Sequence, residues 1–162
     1  MTANITNKRK IMDKFILLDI DGVLTSDAFT HQCKTEKIPP NTFGLDWFDP
    51  QCVKMLRRVI DKTGACIVLA SSWRDLGFDR LSKVWSDNNL PGILAGTTPE
   101  WILMKKDAIL EWIERHPDEK YVIIDDSDLR LQNQVRTNPA TGMTAADAEQ
   151  AIQILNYGPI QI

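Results

Sequence analysis

The sequence predicts an α/β fold, a doubly wound parallel sheet of the Rossmann-like type flanked by helices. Short apolar runs that suit strands buried on both faces alternate with segments whose apolar residues recur at helical spacing. Polar or charged side chains directly follow three of these strands. Such alternation is typical of parallel sheets with right-handed crossovers, in which ligands bind beyond the carboxyl ends of the strands.

Length and composition are those of one globular domain. The 162 residues contain 43% apolar and 25% charged residues. Residues 1–13 are polar and without periodicity, so we expect a flexible tail followed by a single catalytic domain over 14–162. The net charge of -3 argues against bulk binding to nucleic acid or a membrane, though not against a local basic patch. Three cysteines without a signal peptide predict reduced thiols and a cytoplasmic location, and no apolar run approaches a membrane span.

The first predicted strand covers residues 15–18 and ends in Asp19-Ile20-Asp21-Gly22. Carboxylates two residues apart on an extended chain point to the same side, and their repulsion is usually relieved by a divalent cation. The alternative is a surface turn, because Asp-Gly is a common hairpin signal. Residues 25–49, which follow, have no clear period, and Pro39-Pro40-Asn41 and Phe43-Gly44 predict an irregular flap beside the site. The aromatic residues of this flap are Phe29, Phe43, Trp47 and Phe48.

The middle of the chain predicts two further strands and three helices. A helix begins at Pro50 and ends at Gly64, and residues 66–70 form a strand. A second helix carries Phe78, Leu81 and Trp85 on one face, and residues 93–95 form the third strand. The apolar residues of a third helix, which ends before Pro117, are Ile102, Ile109, Leu110 and Ile113.

Polar groups gather at the strand end after residue 70 and at the start of the third helix. Ser71, Ser72 and Arg74 follow the strand directly, and we expect them to contact phosphate or substrate. The alternative for Ser72 is a helix cap. Lys105 and Lys106 lie near the start of the third helix, where lysines are ordinarily solvated.

The last part of the chain predicts a fourth strand at residues 121–124, which ends in Asp125 and Asp126. A short fifth strand follows at 134–137. Thr144 then caps a final helix, with Asp147 in the capping-box position. The predicted buried face of this helix consists of Ala148, Ala151, Ile152 and Leu155.

The side chains at these strand ends suit phosphoryl transfer. Carboxylates bind Mg²⁺, which readily takes phosphate oxygens, and hydroxyl or cationic side chains hold the remaining oxygens. One aspartate free to attack phosphorus would form an aspartyl-phosphate. A second carboxylic acid would protonate the leaving group and later activate water.

Four motifs resemble those of the haloacid dehalogenase superfamily, in the usual order. They are DIDGV at 19–23, SS at 71–72, a lysine at 105 or 106 and DD at 125–126, and the resemblance runs from about residue 15 to 155. The stretches TGACIVLASSWR, ILEWIERHP and YVIIDDSD are also similar to the HAD-like domains associated with RNA-repair proteins.

The resemblance implies a role for each motif residue. Asp19 corresponds to the nucleophile and a metal ligand, and Asp21 to the general acid/base, whose backbone carbonyl binds Mg²⁺. Asp125 and Asp126 correspond to the acidic pair that holds the ion directly or through water. The remaining assignments are the phosphate-binding hydroxyl, Ser71 or Ser72, and the lysine that stabilises the phosphoryl group, Lys105 or Lys106.

The sequence thus predicts a magnesium-dependent phosphatase without an inserted cap domain. An open site suits a large substrate, so we expect a phosphate on a nucleic-acid end or a nucleotide, with Arg74 on a phosphate. The rings expected to flank a base are Trp47, Phe48 and Trp73. The alternatives are a small-molecule phosphatase, a phospho-acceptor module of the receiver type, and a non-catalytic domain that binds phosphate or a partner. A receiver would place its aspartate on a middle strand, where none is found.

Overall fold

The computed structural model of the protein describes residues 13–40 and 47–159. Five strands form one parallel sheet in the order β3-β2-β1-β4-β5, which confirms the predicted fold class. The strands are β1 (Lys14–Leu18), β2 (Cys66–Leu69), β3 (Leu94–Thr97), β4 (Lys120–Asp125) and β5 (Gln134–Arg136). Five α-helices accompany them: α1 (Asp27–Thr35), α2 (Pro50–Thr63), α3 (Phe78–Asp87), α4 (Lys105–Arg115) and α5 (Ala145–Tyr157). A 3₁₀ helix covers Ser72–Leu76.

The central strand β1 is buried on both faces, as its uninterrupted apolar run predicts. Ile16 and Leu18 belong to the larger core, which packs against α2, α3 and α5. Leu17 points the other way, into a smaller core completed by α4 through Ile109 and Trp112. This alternation follows from the two-residue period of a strand. Helices on both faces leave the ends of the strands as the place where polar groups gather.

Local sequence signals define several of the helix ends as predicted. Asp49 caps α2, Pro50 opens it, and Gly64 ends it with a φ of 71°, a left-handed conformation that suits glycine. Thr144 and Asp147 form the predicted capping box of α5. None of the helices in the described ranges is both long and apolar enough to cross a membrane. All three cysteines are buried thiols that form no disulfide within the described residues.

The segment after β1 differs from its prediction as an irregular flap, because it contains α1. Ser26 caps this helix by accepting from the Phe29 backbone N–H. The Ser26 hydroxyl also donates to Asp49 Oδ2 at 2.7 Å, which ties α1 to the start of α2. Only Cys33 of α1 is buried, so the helix has no apolar stripe for a periodicity argument to detect. Asn41, Phe43 and Gly44, and residues 1–12 of the predicted tail over 1–13, lie outside the described residues.

Smaller differences concern where elements begin and which residues they bury. The third strand occupies Leu94–Thr97 rather than 93–95, and Ile93 is 58% exposed. Ile102 precedes α4 instead of lying within it. In α5 the residue Ile154 is buried, whereas Ile152 is only partly so. These shifts arise because tertiary contacts, not periodicity, decide the last turn or residue of an element.

Candidate active site at the strand ends

The acidic groups lie where the direction of the chain through the sheet reverses. Strands β1 and β4 are neighbours, but from β1 the chain proceeds outward to β2 and β3, and from β4 it proceeds outward to β5. In open parallel sheets this switch point leaves a crevice at the carboxyl ends of the two strands. Asp19 directly follows β1, and Asp125 is the last residue of β4.

Three carboxylates meet in this crevice. One oxygen each from Asp19, Asp125 and Asp126 lies within 4.8 Å of the others. Asp19 and Asp125 are buried and Asp126 is half-buried. Backbone N–H groups fix the two buried ones: Ile20 N donates to Asp19 Oδ1 and Ser127 N to Asp125 Oδ1, each at 2.9 Å. The structure therefore brings together three of the four predicted metal ligands through their side chains.

Lys105 supplies the positive charge between the two buried carboxylates. Its Nζ lies 3.1 Å from Asp19 Oδ2 and 3.0 Å from Asp125 Oδ2. Lys105 is the first residue of α4, so the loop between β3 and α4 controls where the ammonium lies. Lys106, the alternative from sequence, is exposed and forms no ion pair with any residue in the described ranges.

One ammonium does not offset the cost of burying this much negative charge. Burial, together with repulsion from Asp125, raises the pKa of Asp19 from 3.8 to about 7, although Lys105 opposes the shift. Burial likewise raises the pKa of Asp125, again against the attraction of Lys105. Burial disfavours the charge on Lys105 too, but the two carboxylates outweigh it and raise the pKa of the ammonium. Three carboxylates and one ammonium leave a net negative site, which fits a divalent cation with oxygen ligands.

Gly22 gives the turn after β1 a conformation that strongly favours glycine. Its φ is 76°, and a Cβ at this position would overlap the Asp126 carboxylate. The turn is held by Thr25, whose hydroxyl accepts from Gly22 N at 3.1 Å, and by Thr137, whose hydroxyl donates to Gly22 O at 2.7 Å. Asp-Gly here is thus part of the acidic site, not the hairpin turn considered as the alternative.

Asp21 is oriented by an aromatic residue. The indole N–H of Trp73 donates to Asp21 Oδ2 at 3.1 Å. Trp73 is buried and lies against Phe48, with ring centroids 5.6 Å apart. Trp47 is half-buried, and its indole donates to the carbonyls of Ile38 and Pro39. The three rings predicted to flank a base are therefore engaged within the protein, and Trp73 instead positions a site carboxylate.

The two serines after β2 differ in environment. Ser71 is buried and caps the 3₁₀ helix by accepting from Trp73 N at 3.2 Å, so Ser71 and not Ser72 is the cap. A hydroxyl that accepts in this way can still donate its proton to a phosphate oxygen. Ser72 is exposed. Of the two, Ser71 is held in a defined orientation beside the residues that position Asp21.

Arg74 makes contacts within the protein that the sequence did not predict. Its guanidinium is buried and donates to Thr98 Oγ1 at 3.0 Å and Pro99 O at 2.9 Å. It also donates to the carbonyls of Ile102 and Leu103. These partners lie more than twenty residues away, so no local signal reveals them. Arg74 thereby ties the segment after β2 to the loop that carries Lys105.

Comparison with known proteins gives one match. A family model described as "HAD domain in Swiss Army Knife RNA repair proteins" matches residues 15–148. The matched range runs from β1 into α5 and includes every site residue described above. Neither the curated proteins nor the solved structures gave a match.

Proposed function

The chain belongs to the family of HAD domains in Swiss Army Knife RNA repair proteins, and from this premise we propose that it is a magnesium-dependent phosphatase acting through an aspartyl-phosphate on Asp19. The observation that carries the proposal is the bridge from Lys105 to two buried carboxylates at the switch point of the sheet. A divalent ion would bring the positive charge that this net negative cluster needs, and the ion together with Lys105 would attract the phosphoryl group.

The first half-reaction transfers the phosphoryl group to the protein. A carboxylate oxygen of Asp19 attacks phosphorus, and the bond from phosphorus to the leaving oxygen breaks. Asp21, as the acid, gives its proton to that oxygen. Lys105 and the Ser71 hydroxyl stabilise the charge on the transferred group. Mg²⁺ held by Asp19, Asp125 and Asp126 would add positive charge near the phosphate oxygens.

The second half-reaction returns the protein to its starting state. Asp21, now a carboxylate, takes a proton from a water molecule whose oxygen attacks phosphorus. The bond between phosphorus and Asp19 breaks, and inorganic phosphate leaves. The hydrogen bond from Trp73 holds Asp21 in one orientation for both proton transfers.

The test is hydrolysis of p-nitrophenyl phosphate by purified protein, with Mg²⁺ and with EDTA. We expect turnover that requires Mg²⁺ and is lost in the chelator. Full activity after metal removal, verified by elemental analysis, contradicts metal dependence. Absence of turnover with any phosphate ester, in protein that binds Mg²⁺, favours the non-catalytic alternative.

Asp21→Asn separates the proton-transfer role proposed for Asp21 from the nucleophilic role proposed for Asp19. The amide can still accept from Trp73 but cannot transfer a proton, so we expect turnover to fall by about 10²-fold to 10⁴-fold. With a substrate that has a good leaving group, the phosphoryl-protein should accumulate, because hydrolysis of the aspartyl-phosphate then lacks a general base. Rapid-quench assays with p-nitrophenyl phosphate measure both quantities. Loss of Mg²⁺ binding in this variant would show that Asp21 was assigned the wrong role.

The raised pKa of Asp19 predicts how the stability of the metal-free protein depends on pH. The folded protein keeps a proton on Asp19 up to about pH 7, whereas an unfolded chain releases it near 3.8. The folded state thus binds more protons between these values, and the free energy of unfolding decreases as the pH rises from about 4 to 7. Urea unfolding in EDTA measures the slope. We expect Asp19→Asn to flatten it, and an unchanged slope in that variant would assign the titration elsewhere.

The proposed substrate is a phosphate at the end of a nucleic acid or on a nucleotide. Within the described residues, the segment between β1 and α2 contributes only α1 as an insertion, so the strand ends have no cap domain above them. A site of this kind gains affinity from a substrate that brings its own contact area. The RNA-repair description of the family supports the same class. A small-molecule phosphatase is the alternative. A higher kcat/KM for a phosphorylated oligonucleotide than for the matching mononucleotide supports the nucleic-acid end, and an equal or lower value supports the alternative.

A further inference from the structure

We propose that the loop before α4 binds the terminal base of a single-stranded nucleic acid whose end phosphate occupies the site. We call the apolar side chains Trp101, Leu103 and Met104 the platform. This inference rests on the proposed function, since it concerns the substrate of the same site. It assigns base recognition to residues other than the aromatic ones that the sequence predicted.

The platform is exposed and adjoins the site in sequence. Trp101 is 73% exposed, Leu103 91% and Met104 67%. Soluble proteins bury most large apolar side chains, and three within four residues form an unusual surface. Met104 directly precedes Lys105, whose Nζ contacts Asp19 and Asp125. Four residues of chain span at most about 14 Å, so the Cα of Trp101 lies within that distance of the Cα of Lys105, whose ammonium reaches the site.

The platform is held rigidly although it faces solvent. Arg74 donates to Pro99 O, which precedes the platform, and to the carbonyls of Ile102 and Leu103, which lie within it. Its fourth partner, Thr98, is fully buried. A buried guanidinium with four acceptors fixes the backbone, so binding a base requires little further ordering of the loop. The platform side chains are therefore exposed on a backbone that hydrogen bonds hold in place, and not on a frayed loop.

The chemistry of the surface suits a nucleic-acid strand. An exposed indole stacks on any base, and apolar neighbours extend the contact. Lys106 is exposed, lies two residues after Met104 and has no ion pair within the described ranges, so it is available to the next phosphodiester. The exposed carboxylates of Glu100 and Asp107 lie in the same stretch and weaken this attraction. We therefore expect weak, salt-sensitive binding in which stacking supplies the selectivity for a base.

The first arm of the test measures binding without turnover. A fluorescent single-stranded oligonucleotide with a 3′- or 5′-phosphate is titrated with the Asp19→Asn protein in Mg²⁺ and followed by anisotropy. Adding Trp101→Ala should weaken binding about 5-fold to 150-fold, and Trp101→Phe should restore most of it. Lys106→Ala should lower the salt slope by about 0.7, the value for one phosphate of a single strand. Tyr157→Ala is the matched control, because Tyr157 is 78% exposed but lies with Lys120 near the opposite ends of the strands.

The second arm measures the ratio of kcat/KM for the phosphorylated oligonucleotide to that for p-nitrophenyl phosphate. Trp101→Ala should lower this ratio, and Tyr157→Ala should leave it unchanged. If the wild-type protein hydrolyses neither substrate, the proposed function is wrong. The binding measurements of the first arm then still test whether the platform binds a base. Binding that is equal with and without the Trp101 ring overturns the platform. Concentration-dependent dimerisation that Trp101→Ala abolishes also overturns it, since the surface would then join two copies of the chain.

Discussion

Asp19→Asn is expected to lower the turnover of p-nitrophenyl phosphate by at least about 10³-fold, or about 4 kcal/mol in the barrier. The amide keeps the size of the carboxylate and can still accept from Ile20 N, so the turn after β1 is preserved. It removes the charge that attacks phosphorus and one ligand of the proposed ion. Because the mutated group is the proposed nucleophile, we expect no neighbouring residue to replace it. The measurement is kcat at saturating Mg²⁺, with circular dichroism as the check on folding.

A matched control for this prediction is Asp128→Asn. Asp128 lies three residues after Asp125, but its side chain is 52% exposed and is no member of the acidic cluster. We expect turnover within about twofold of wild type. Near-normal turnover in folded Asp19→Asn protein would reject the covalent mechanism. An equal loss in both variants would mean that overall charge, and not the nucleophile, controls the rate.

The strand ends were predictable because local patterns determine them. An unbroken apolar run that ends in Asp19 or in Asp125 specifies a buried strand and places the next side chain at its carboxyl end. Parallel pairing of β1 with β4 then brings the two carboxylates together without further information. Gly22 adopts a backbone conformation that few other residues adopt, so its role in the turn could also be predicted from the local sequence.

The contacts that sequence reasoning did not predict involve residues whose partners are distant in the sequence. Arg74 resembles a phosphate ligand in sequence because it follows a strand. Its acceptors, however, lie in the loop that follows β3 and precedes α4. Trp73 resembled a stacking ring, but the fold buries it and directs its N–H to Asp21. Trp101 was not singled out, because nothing local distinguishes an exposed tryptophan from a buried one. Exposure is decided by the whole sheet and helix arrangement.

The choice between Lys105 and Lys106 also depends on packing between parts of the chain that are distant in the sequence. Neighbouring positions on a helix point about 100° apart, so only one of the two side chains can reach the carboxylates. Sequence gives the lysine pair but not the rotation of α4 about its axis. That rotation is fixed by the packing of Ile109 and Trp112 beneath the sheet. The pair therefore offers a variant and its control at adjacent positions.

Lys105→Met is expected to impair both activity and stability, whereas Lys106→Met should leave both near wild type in assays with p-nitrophenyl phosphate. Removing the ammonium leaves Asp19 and Asp125 buried and unpaired, a change that typically costs about 3 kcal/mol or more in the free energy of unfolding. Turnover should fall by at least about 10²-fold, because the transferred phosphoryl group loses a fixed cation. Urea unfolding in EDTA at pH 8 and kcat in Mg²⁺ measure the two effects.

Two conditions should restore part of the stability of Lys105→Met. Mg²⁺ supplies charge to the same carboxylates and binds only the folded state, so it should raise the unfolding free energy of this variant more than that of wild type. Lowering the pH from 8 allows the buried carboxyls to protonate and removes their repulsion, because burial raises their pKa and Lys105 no longer opposes that shift. If instead Lys105→Met and Lys106→Met unfold at the same urea concentration at pH 8 in EDTA, the bridge from Lys105 to the two carboxylates contributes nothing to the fold. The charge argument for the ion at this site would then fail with it.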